Sequence, residues 1–294
     1  MLLAVPNVSE GRDRQTIDAI AKALTAGKNA RLLNTHADAD HHRAVYTLAG
    51  KPGRLSCALL AGAREAIARI DVGSGRDPAD AGQHPHVGAV DVVPIVYTDL
   101  AQRGHACAEA LVVAADIGER LQVPVFLYGI LAHGRTRAEL RKGGLAALTE
   151  RMAAGELCPD FGPSRPHPTA GATLVAAREP LVAFNLELAP PATLADARRI
   201  AALIREGGPE GLAGLRAIGV ALRGGSVAQV STNVERPLEL PLRKVVAAVA
   251  RHTRVAGAEL VGLAPRAAME GFPADVALAN FDPGVDTIEN ALGF

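Results

Sequence analysis

The order in which apolar patterns follow one another is the feature that most limits how this chain can fold. From residue 182 to residue 263, an alternating strand pattern is followed by a helical stripe, two strands, a second helical stripe and a last strand. The two middle strands flank Gly224-Gly225, a pair typical of a hairpin turn. The resulting order, βαββαβ, is that of ferredoxin-like folds.

The first part of the chain begins with the same order. Residues 1–8 and 90–97 have strand patterns, a helical stripe runs from Ile17 to Leu24, and two strands enclose the polar segment 36–43 before a second stripe at residues 55–70. A helix from Cys107, a short strand at residues 124–128 and basic helical sequence follow. We therefore predict an α/β (α+β) chain of two topologically similar ferredoxin-like halves, divided as residues 1–178 and 179–294.

Composition limits the classes of partner. Aromatic residues make up only 3% of the chain and Trp is absent, which argues against the aromatic platforms of proteins that bind single-stranded nucleic acid. The formal net charge is zero, so no polyanion partner is indicated. The sequence has no apolar run of membrane-spanning length, no signal-like start, and three widely spaced cysteines that form neither a zinc cluster nor a disulfide framework. We expect a cytoplasmic protein without nucleic-acid or membrane partners.

A polar segment between two predicted strands is the first candidate for chemistry. Histidine and carboxylate side chains are standard metal ligands, so the segment could hold a metal ion. Its spacing does not match a known zinc helix, and it could equally be a polar loop at a sheet edge. The segment contains His36, Asp38, Asp40, His41, His42 and Arg43.

A second candidate is the sequence AGQHPHVGAVDVVP, in which His84 and His86 flank Pro85. Proline stiffens the backbone between the two histidines. A histidine held on a rigid loop before a strand is suited to proton transfer near neutral pH. Spacing alone does not separate this interpretation from a simple turn.

Two further segments are candidates by position. PDFGPSRPHPTAGAT is rich in Gly and Pro, which indicates a structured, exposed loop that could hold a ligand, or else a linker between the halves. In VPNVSEGRD, Ser9 could cap the following helix or contact a ligand.

Taken together, these segments resemble the formiminotransferase family, the transferase half of formiminotransferase-cyclodeaminase. The similarity runs in family order from residue 5 to residue 233 and is specific because so many short motifs coincide. The matching stretches are VPNVSEG, RAVYT, HPHVGAVDV, VPVFLYG, PDFGPS, GAT, AFNLEL and AQVSTN.

The resemblance implies two ferredoxin-like subdomains with a substrate groove between them, and a homodimer. It places the family's catalytic histidine on His84, with His86 where family members more often have Arg. Candidate substrate contacts are Asn7, His36, Asp40, Arg43 and Arg178. The resemblance places the folate loop on Gly162, Pro163, Ser164, Arg165, Pro166, His167, Pro168, Thr169, Ala170 and Gly171.

The implied reaction, a step of histidine degradation and one-carbon metabolism, moves the formimino group of N-formimino-L-glutamate to tetrahydrofolate. One neutral imidazole can accept a proton from the attacking pterin amine and return it to the leaving glutamate nitrogen. Tetrahydrofolate is then a co-substrate, and no metal is expected. Arg43, Arg165 and Arg178 could pair with glutamate carboxylates.

Alternatives stay open at this point. Formyl transfer between 5-formyltetrahydrofolate and glutamate would use the same site, a metal-dependent hydrolase could use the cluster at residues 36–42, and a folate-binding module would have no turnover. We expect a single-function enzyme, with the cyclodeaminase step carried out by another protein.

Overall fold

The computed structural model describes residues 1–73 and 86–293. The chain divides into two compact units, Met1–Arg178 and Glu179–Phe294. Each unit contains its own β-sheet and its own apolar core.

The N-terminal unit alternates strands and helices in the predicted order and then continues. Its strands are β1 (Leu2–Ala4), β2 (Asn7–Val8), β3 (Arg31–Asp38), β4 (Arg43–Gly50), β5 (Val90–Val96), β6 (Val125–Leu127) and β7 (Thr173–Arg178). Its helices are α1 (Arg14–Thr25), α2 (Leu55–Arg69), α3 (Arg103–Arg120), α4 (Arg137–Arg141) and α5 (Gly144–Ala153).

The N-terminal sheet contains a ferredoxin-like module with an extension. Strand β3 pairs with β4, β4 pairs with β1 and β2, and these pair with β5, all antiparallel. Strands β7 and β6 then continue the sheet, parallel to β5. The predicted βαββαβ order is therefore confirmed in this unit, and the α3–β6–β7 segment widens the sheet at the β5 side.

Both faces of β5 are buried, because helices α4 and α5 pack against its second face. Val93 and Ile95 pack into the main core with helices α1, α2 and α3, whereas Val92 joins a smaller apolar cluster with Leu140 and Leu148 from α4 and α5. This explains the near-continuous apolar run of the strand. Within residues 1–73 and 86–293, no helix combines the length and apolar character needed to cross a bilayer.

Three details of the N-terminal unit differ from the sequence prediction. The first predicted strand is two short strands separated at Pro6, which has no N–H to donate to a ladder. Strand β3 continues through His36 to Asp38, so the loop is shorter than the polar segment suggested. The sequence pattern gave no strand for residues 173–178, which form β7 and lie buried between β5 and β6.

The C-terminal unit is a ferredoxin-like module with a two-residue strand at one edge. Its sheet order is β12-β11-β8-β10-β9, and its four main strands are antiparallel neighbours, as the βαββαβ order predicted. The hairpin at Gly224-Gly225 is confirmed. The elements are β8 (Val182–Leu188), α6 (Leu194–Ile204), β9 (Leu215–Leu222), β10 (Val227–Val234), α7 (Leu242–Ala250), β11 (Val255–Val261), β12 (Leu278–Ala279) and α8 (Ile288–Leu292).

Candidate active site

Three of the candidate segments meet at one point of the N-terminal unit. The backbone N–H of Ser9 donates to the carbonyl of Ala89 over 3.0 Å, and its hydroxyl donates to the carbonyl of Gly88 over 2.8 Å. Gly88 forms an isolated β-bridge with Gly171, and the N–H of Ala89 donates to the carbonyl of Ala170 over 2.9 Å. The motifs containing Ser9, Gly88 and Gly171 are therefore joined by backbone hydrogen bonds, although they are far apart in sequence.

The segment from His167 to Gly171 is a closed turn and not a linker. The N–H and C=O groups of these two residues bond to each other over 2.8 and 2.9 Å. Inside the turn, Nδ1 of His167 accepts from the N–H of Ala170 over 3.0 Å. The imidazole thus stabilises the turn from within, and this role needs no ligand.

Gly171 permits this turn because of its conformation and its surroundings. Its φ of 67° lies in the left-handed region, which favours glycine. A Cβ at this position would overlap the carbonyl oxygen of Val87. The same turn also holds the other flank of residues 74–85, since the N–H of Val72 donates to the carbonyl of Thr169 over 2.7 Å.

The predicted catalytic residue, His84, lies outside the described residues. Its described neighbours are fixed in place: His86 is half-buried, and the N–H of Val87 donates to Oδ1 of Asp91 over 2.9 Å. The role of His84 therefore stays a prediction.

Asp91, which accepts from the N–H of Val87, forms a buried ion pair with Arg141. The Asp91 side chain is 1% exposed and that of Arg141 is 11% exposed. Burial lowers the pKa of Arg141, whereas its ion pair with Asp91 opposes that effect. Among the described residues, neither Nε of Arg141 nor the buried hydroxyl of Tyr128 has a hydrogen-bond partner.

Within residues 1–73 and 86–293, three guanidinium groups (Arg43, Arg141 and Arg137) and two carboxylates (Asp91 and Asp38) act on one another in this region. Burial, together with the nearby guanidinium groups of Arg141 and Arg137, lowers the pKa of Arg43 to about 10, while Asp91 and Asp38 act in the opposite direction. A pKa of about 10 still leaves Arg43 protonated at neutral pH. Guanidinium groups that outnumber their carboxylate partners are suited to binding an anionic ligand.

The polar loop between β3 and β4 is held together by its own side chains. Oδ1 of Asp38 accepts from the N–H groups of Asp40 and His41 over 2.8 and 2.9 Å, and Oδ2 contacts Nδ1 of His41. Burial alone would raise the pKa of Asp38, but these hydrogen bonds hold it at about 2. The loop therefore uses an ionised carboxylate to close its turn.

Gly11 joins this loop to the Ser9 segment. Its N–H donates to Nδ1 of His42 over 3.1 Å, and Oε1 of Glu10 lies 3.4 Å from the same nitrogen. A Cβ at Gly11 would overlap the backbone of Asp38, so the close approach requires glycine. All four candidate segments of the N-terminal unit are thus connected.

The interpretation of Ser9 as a helix cap is wrong. Helix α1 is capped by Asp13, whose side chain accepts from the N–H of Gln15 over 3.0 Å. Ser9 bonds instead to Gly88, so it connects two loops of the candidate site.

The predicted folate loop begins on a structural anchor. Oδ2 of Asp160 accepts from the N–H of Leu127 over 2.7 Å and pairs with Arg135, and Gly162 packs closely against α3 at Gly118. Ser164 and Arg165 are exposed between this anchor and the closed turn. The loop is therefore fixed at both ends and presents its middle residues to solvent.

The remaining candidate substrate contacts are distributed unevenly. Asn7 lies in β2 next to β4, and His36 and Asp40 lie at the β3–β4 hairpin, close to Arg43 at the start of β4. Arg178 ends β7, at the opposite end of that parallel strand from the closed turn. The described contacts therefore bring together the candidates near the hairpin but not Arg178.

Asp91, Arg141 and Tyr128 were not identified as site residues from sequence. Asp91 did carry a signal, because a carboxylate within an otherwise apolar strand needs a buried partner. Nothing in the sequence identified the partner, which lies 50 residues away on a short helix.

The two units match different parts of one known domain. Residues 1–178 match the family described as "Formiminotransferase domain, N-terminal subdomain", and residues 183–273 match "Formiminotransferase domain". Together the matches include the candidate site and most of the C-terminal sheet.

Individual relatives come from distant organisms. Glutamate formimidoyltransferase of Streptococcus pyogenes serotype M1 is 34% identical over 303 residues, covering 98% of this chain and 97% of the relative. The protein of the same name from Thermoplasma acidophilum is 30% identical, covering 90% of this chain and 88% of the relative. The mouse formimidoyltransferase-cyclodeaminase is 36% identical over 282 residues, and this chain spans about half of its length, 50%.

Proposed function

This chain belongs to the formiminotransferase family, and from that premise we propose that it transfers the formimino group of N-formimino-L-glutamate to tetrahydrofolate. The products are 5-formiminotetrahydrofolate and glutamate. The observation that carries the proposal is the junction of Ser9, Gly88 and Gly171, where three motifs of the family meet.

His84 is the proposed acid–base residue. It lies two residues before His86 in the sequence, and the nearby described residues Val87 and Ala89 are hydrogen-bonded to Asp91 and to the closed turn. A general base must lie within hydrogen-bond reach of the proton that it takes, and the proposal requires that of His84.

The proposed reaction has two steps that balance without a redox change. The pterin amine attacks the formimino carbon, a new C–N bond forms, and the imidazole takes the proton of that amine. The tetrahedral centre then collapses, the bond to the glutamate nitrogen breaks, and the same imidazole protonates the leaving nitrogen.

Arg43 is the proposed partner of a glutamate carboxylate. It is only partly exposed, and the positive charge around it exceeds the charge of Asp91. Folate is assigned to the loop Gly162–Gly171, whose exposed middle residues lie between two fixed ends.

The direct test is turnover of the purified protein with N-formimino-L-glutamate and tetrahydrofolate. We expect formation of 5-formiminotetrahydrofolate with one glutamate released per turnover. In a matched assay, 5-formyltetrahydrofolate and glutamate should react much more slowly. A higher rate with the formyl pair would replace the proposal with formyl transfer.

A test of metal dependence distinguishes the proposed transferase from the alternative, a metal-dependent hydrolase. The Nδ1 atoms of His41 and His42 face Asp38 and the Gly11 N–H, so these nitrogens already have protein partners. We propose that activity survives exhaustive chelation. Loss of activity that one equivalent of a transition metal restores would favour a metal enzyme.

The assembly and location are also proposals. We expect a cytoplasmic homodimer, as the family resemblance implies. Light scattering at working concentration would show the dimer mass, and a monomer of 30.4 kDa would contradict it.

A further inference from the structure

Two of the family motifs have no part in the proposed chemistry, yet they lie side by side in the C-terminal sheet. In the pairing of β8 with β10, Gln229 is opposite Glu187 and Ser231 is opposite Asn185. Core residues such as Phe184 occupy the alternate positions. The second face of the sheet therefore carries a group of polar side chains, which we call the polar face: Asn185, Glu187, Gln229, Ser231 and Glu259.

Gln229 is the unusual member of the polar face. Its side chain is 1% exposed, and both its Oε1 and its Nε2 are buried without a hydrogen-bond partner among the described residues. Burying an amide without partners costs free energy, and nearly all buried polar groups in native proteins are paired. A ligand that supplies one donor and one acceptor side by side would satisfy both atoms.

The neighbours of Gln229 restrict the charge and shape of that ligand. Nδ2 of Asn185 donates to Oε2 of Glu259 over 3.3 Å, and Glu187 pairs with Arg223 over 3.3 Å. Glu187, which is opposite Gln229 in the strand pairing, is a carboxylate already paired with a cation, so it offers no attraction to an anionic group. On the opposite side, Gln229 is paired in register with Val220, which is buried. The surroundings therefore suit a flat, uncharged group with hydrogen-bond donors.

One part of the proposed substrates has these properties, so this inference rests on the proposed function. Glutamate carboxylates offer acceptors only, and a protonated formimino group offers donors only. In the trans amide that links benzoyl and glutamate, N–H and C=O point in opposite directions. The lactam edge of a pterin presents an N–H and a C=O on the same side.

We propose that the side-chain amide of Gln229 pairs with the lactam edge of the pterin ring. Nε2 donates to the ring carbonyl and Oε1 accepts from the adjacent ring N–H. Gln229 is then a positioning residue that sets the orientation of the ring, and His84 keeps the proton transfer.

The test compares Gln229→Met with Gln102→Met, a control in the N-terminal unit whose Oε1 is also buried without a hydrogen-bond partner among the described residues. The probes are 5-formyltetrahydrofolate, a tetrahydropterin without its tail, and 4-aminobenzoyl-glutamate, measured by calorimetric titration with Tm as a second readout. Gln229→Met should weaken both pterin-containing probes by roughly tenfold to a hundredfold, since two neutral hydrogen bonds are lost. Its affinity for 4-aminobenzoyl-glutamate should stay the same, and its ligand-free Tm should be equal or higher. Gln102→Met should leave all three affinities unchanged.

A second variant reads the direction of the hydrogen bonds. Gln229→Glu presents acceptors only, so one oxygen can accept from the ring N–H but the other faces the ring carbonyl. It should therefore weaken both pterin-containing probes and leave the affinity for 4-aminobenzoyl-glutamate unchanged.

Several outcomes would overturn the pairing. They are wild-type pterin affinity in Gln229→Met, a lower ligand-free Tm in that variant, or wild-type pterin affinity in Gln229→Glu. If the wild-type protein neither binds folates nor turns over, the proposed function itself fails. If the wild-type protein turns over and the Gln229 variants keep its pterin affinity, the pairing is rejected and the proposed function stands.

Discussion

Asp91 is the residue on which the balance of buried charge in the N-terminal unit depends. Its carboxylate pairs with Arg141, accepts from the N–H of Val87, and opposes the positive charge around Arg43. It therefore links Val87 to the arginines around Arg43, which we propose as the partner of a substrate carboxylate. At this scale, one side chain connects stability with substrate binding.

Asp91→Asn should destabilise the protein by about 3 to 5 kcal/mol, because it leaves the buried guanidinium of Arg141 without its partner charge. Asp116→Asn is the control, since its ion pair with Arg120 is more exposed. The control should change the unfolding free energy by about 0 to 1 kcal/mol. Denaturant unfolding measures both, and the double variant Asp91→Asn/Arg141→Met should recover part of the loss. Equal effects of the two single Asp variants would contradict a special role for Asp91.

His84→Ala should lower turnover by about a hundredfold to ten-thousandfold while folate binding is largely kept, because a general acid–base group is removed. That range corresponds to roughly 3 to 5 kcal/mol of activation barrier. His86→Ala should cost much less, and His86→Arg, which restores the family pattern, should remain active. Turnover number and folate affinity are measured for each variant after its fold is confirmed. An inactive His86→Ala beside an active His84→Ala would reverse the assignment.

The closed turn His167–Gly171 is the element that organises the candidate site. It bonds to residues on both sides of the segment 74–85, through Val72 and through Val87 to Ala89. Its geometry comes from backbone hydrogen bonds and one glycine, not from a large apolar contact. The turn therefore joins the described residues on both sides of that segment, and each bond pairs a backbone N–H with a C=O group.

Gly171→Ala should destabilise the protein more than Gly53→Ala, although both glycines have positive φ values, 67° and 78°. Each variant has the cost of a left-handed non-glycine residue, about 1 to 2 kcal/mol. Only Gly171→Ala adds a clash with the Val87 carbonyl, whereas a Cβ at Gly53 meets no atom of the described residues within 4 Å. Thermal unfolding of the two variants compares them directly. Equal losses of stability would show that the backbone of the turn shifts to accommodate the added Cβ at little cost.

Because of that clash, Gly171 variants do not separate folate binding from folding. Substitutions at the exposed Ser164 or Arg165 are the better probes of the loop.

At the scale of the whole molecule, the elements with clear apolar periodicity were predictable. Helices α1 and α6 follow their residue patterns because each buries one face, and strands β8 and β10 follow theirs because core residues alternate with polar ones. Strand β7 was missed because its apolar run directly follows a Gly- and Pro-rich loop. Strand β3 was shortened in the prediction because an edge strand tolerates polar residues such as His36 and Asp38.

The candidate segments could be chosen from sequence, but their pairings could not. Motif positions indicated Ser9, His84 and the folate loop because each motif carries turn-forming residues, and the roles of His84 and of the folate loop stay predictions. The Asp91–Arg141 ion pair and the unpaired amide of Gln229 depend on which strands and helices become neighbours. Such contacts join residues distant in sequence, and no local pattern specifies them.

The crowded backbone at Gly11 and Gly171 has an evolutionary consequence. These contacts lead us to expect that selection on the two glycines acts through folding, so that a descendant that abandoned the ancestral reaction would retain them. A search that recognises VSEG or AGAT therefore detects common ancestry more reliably than common activity. In a diverged paralogue, the residues at positions 84 and 229 would be the more informative places to look for a change of reaction.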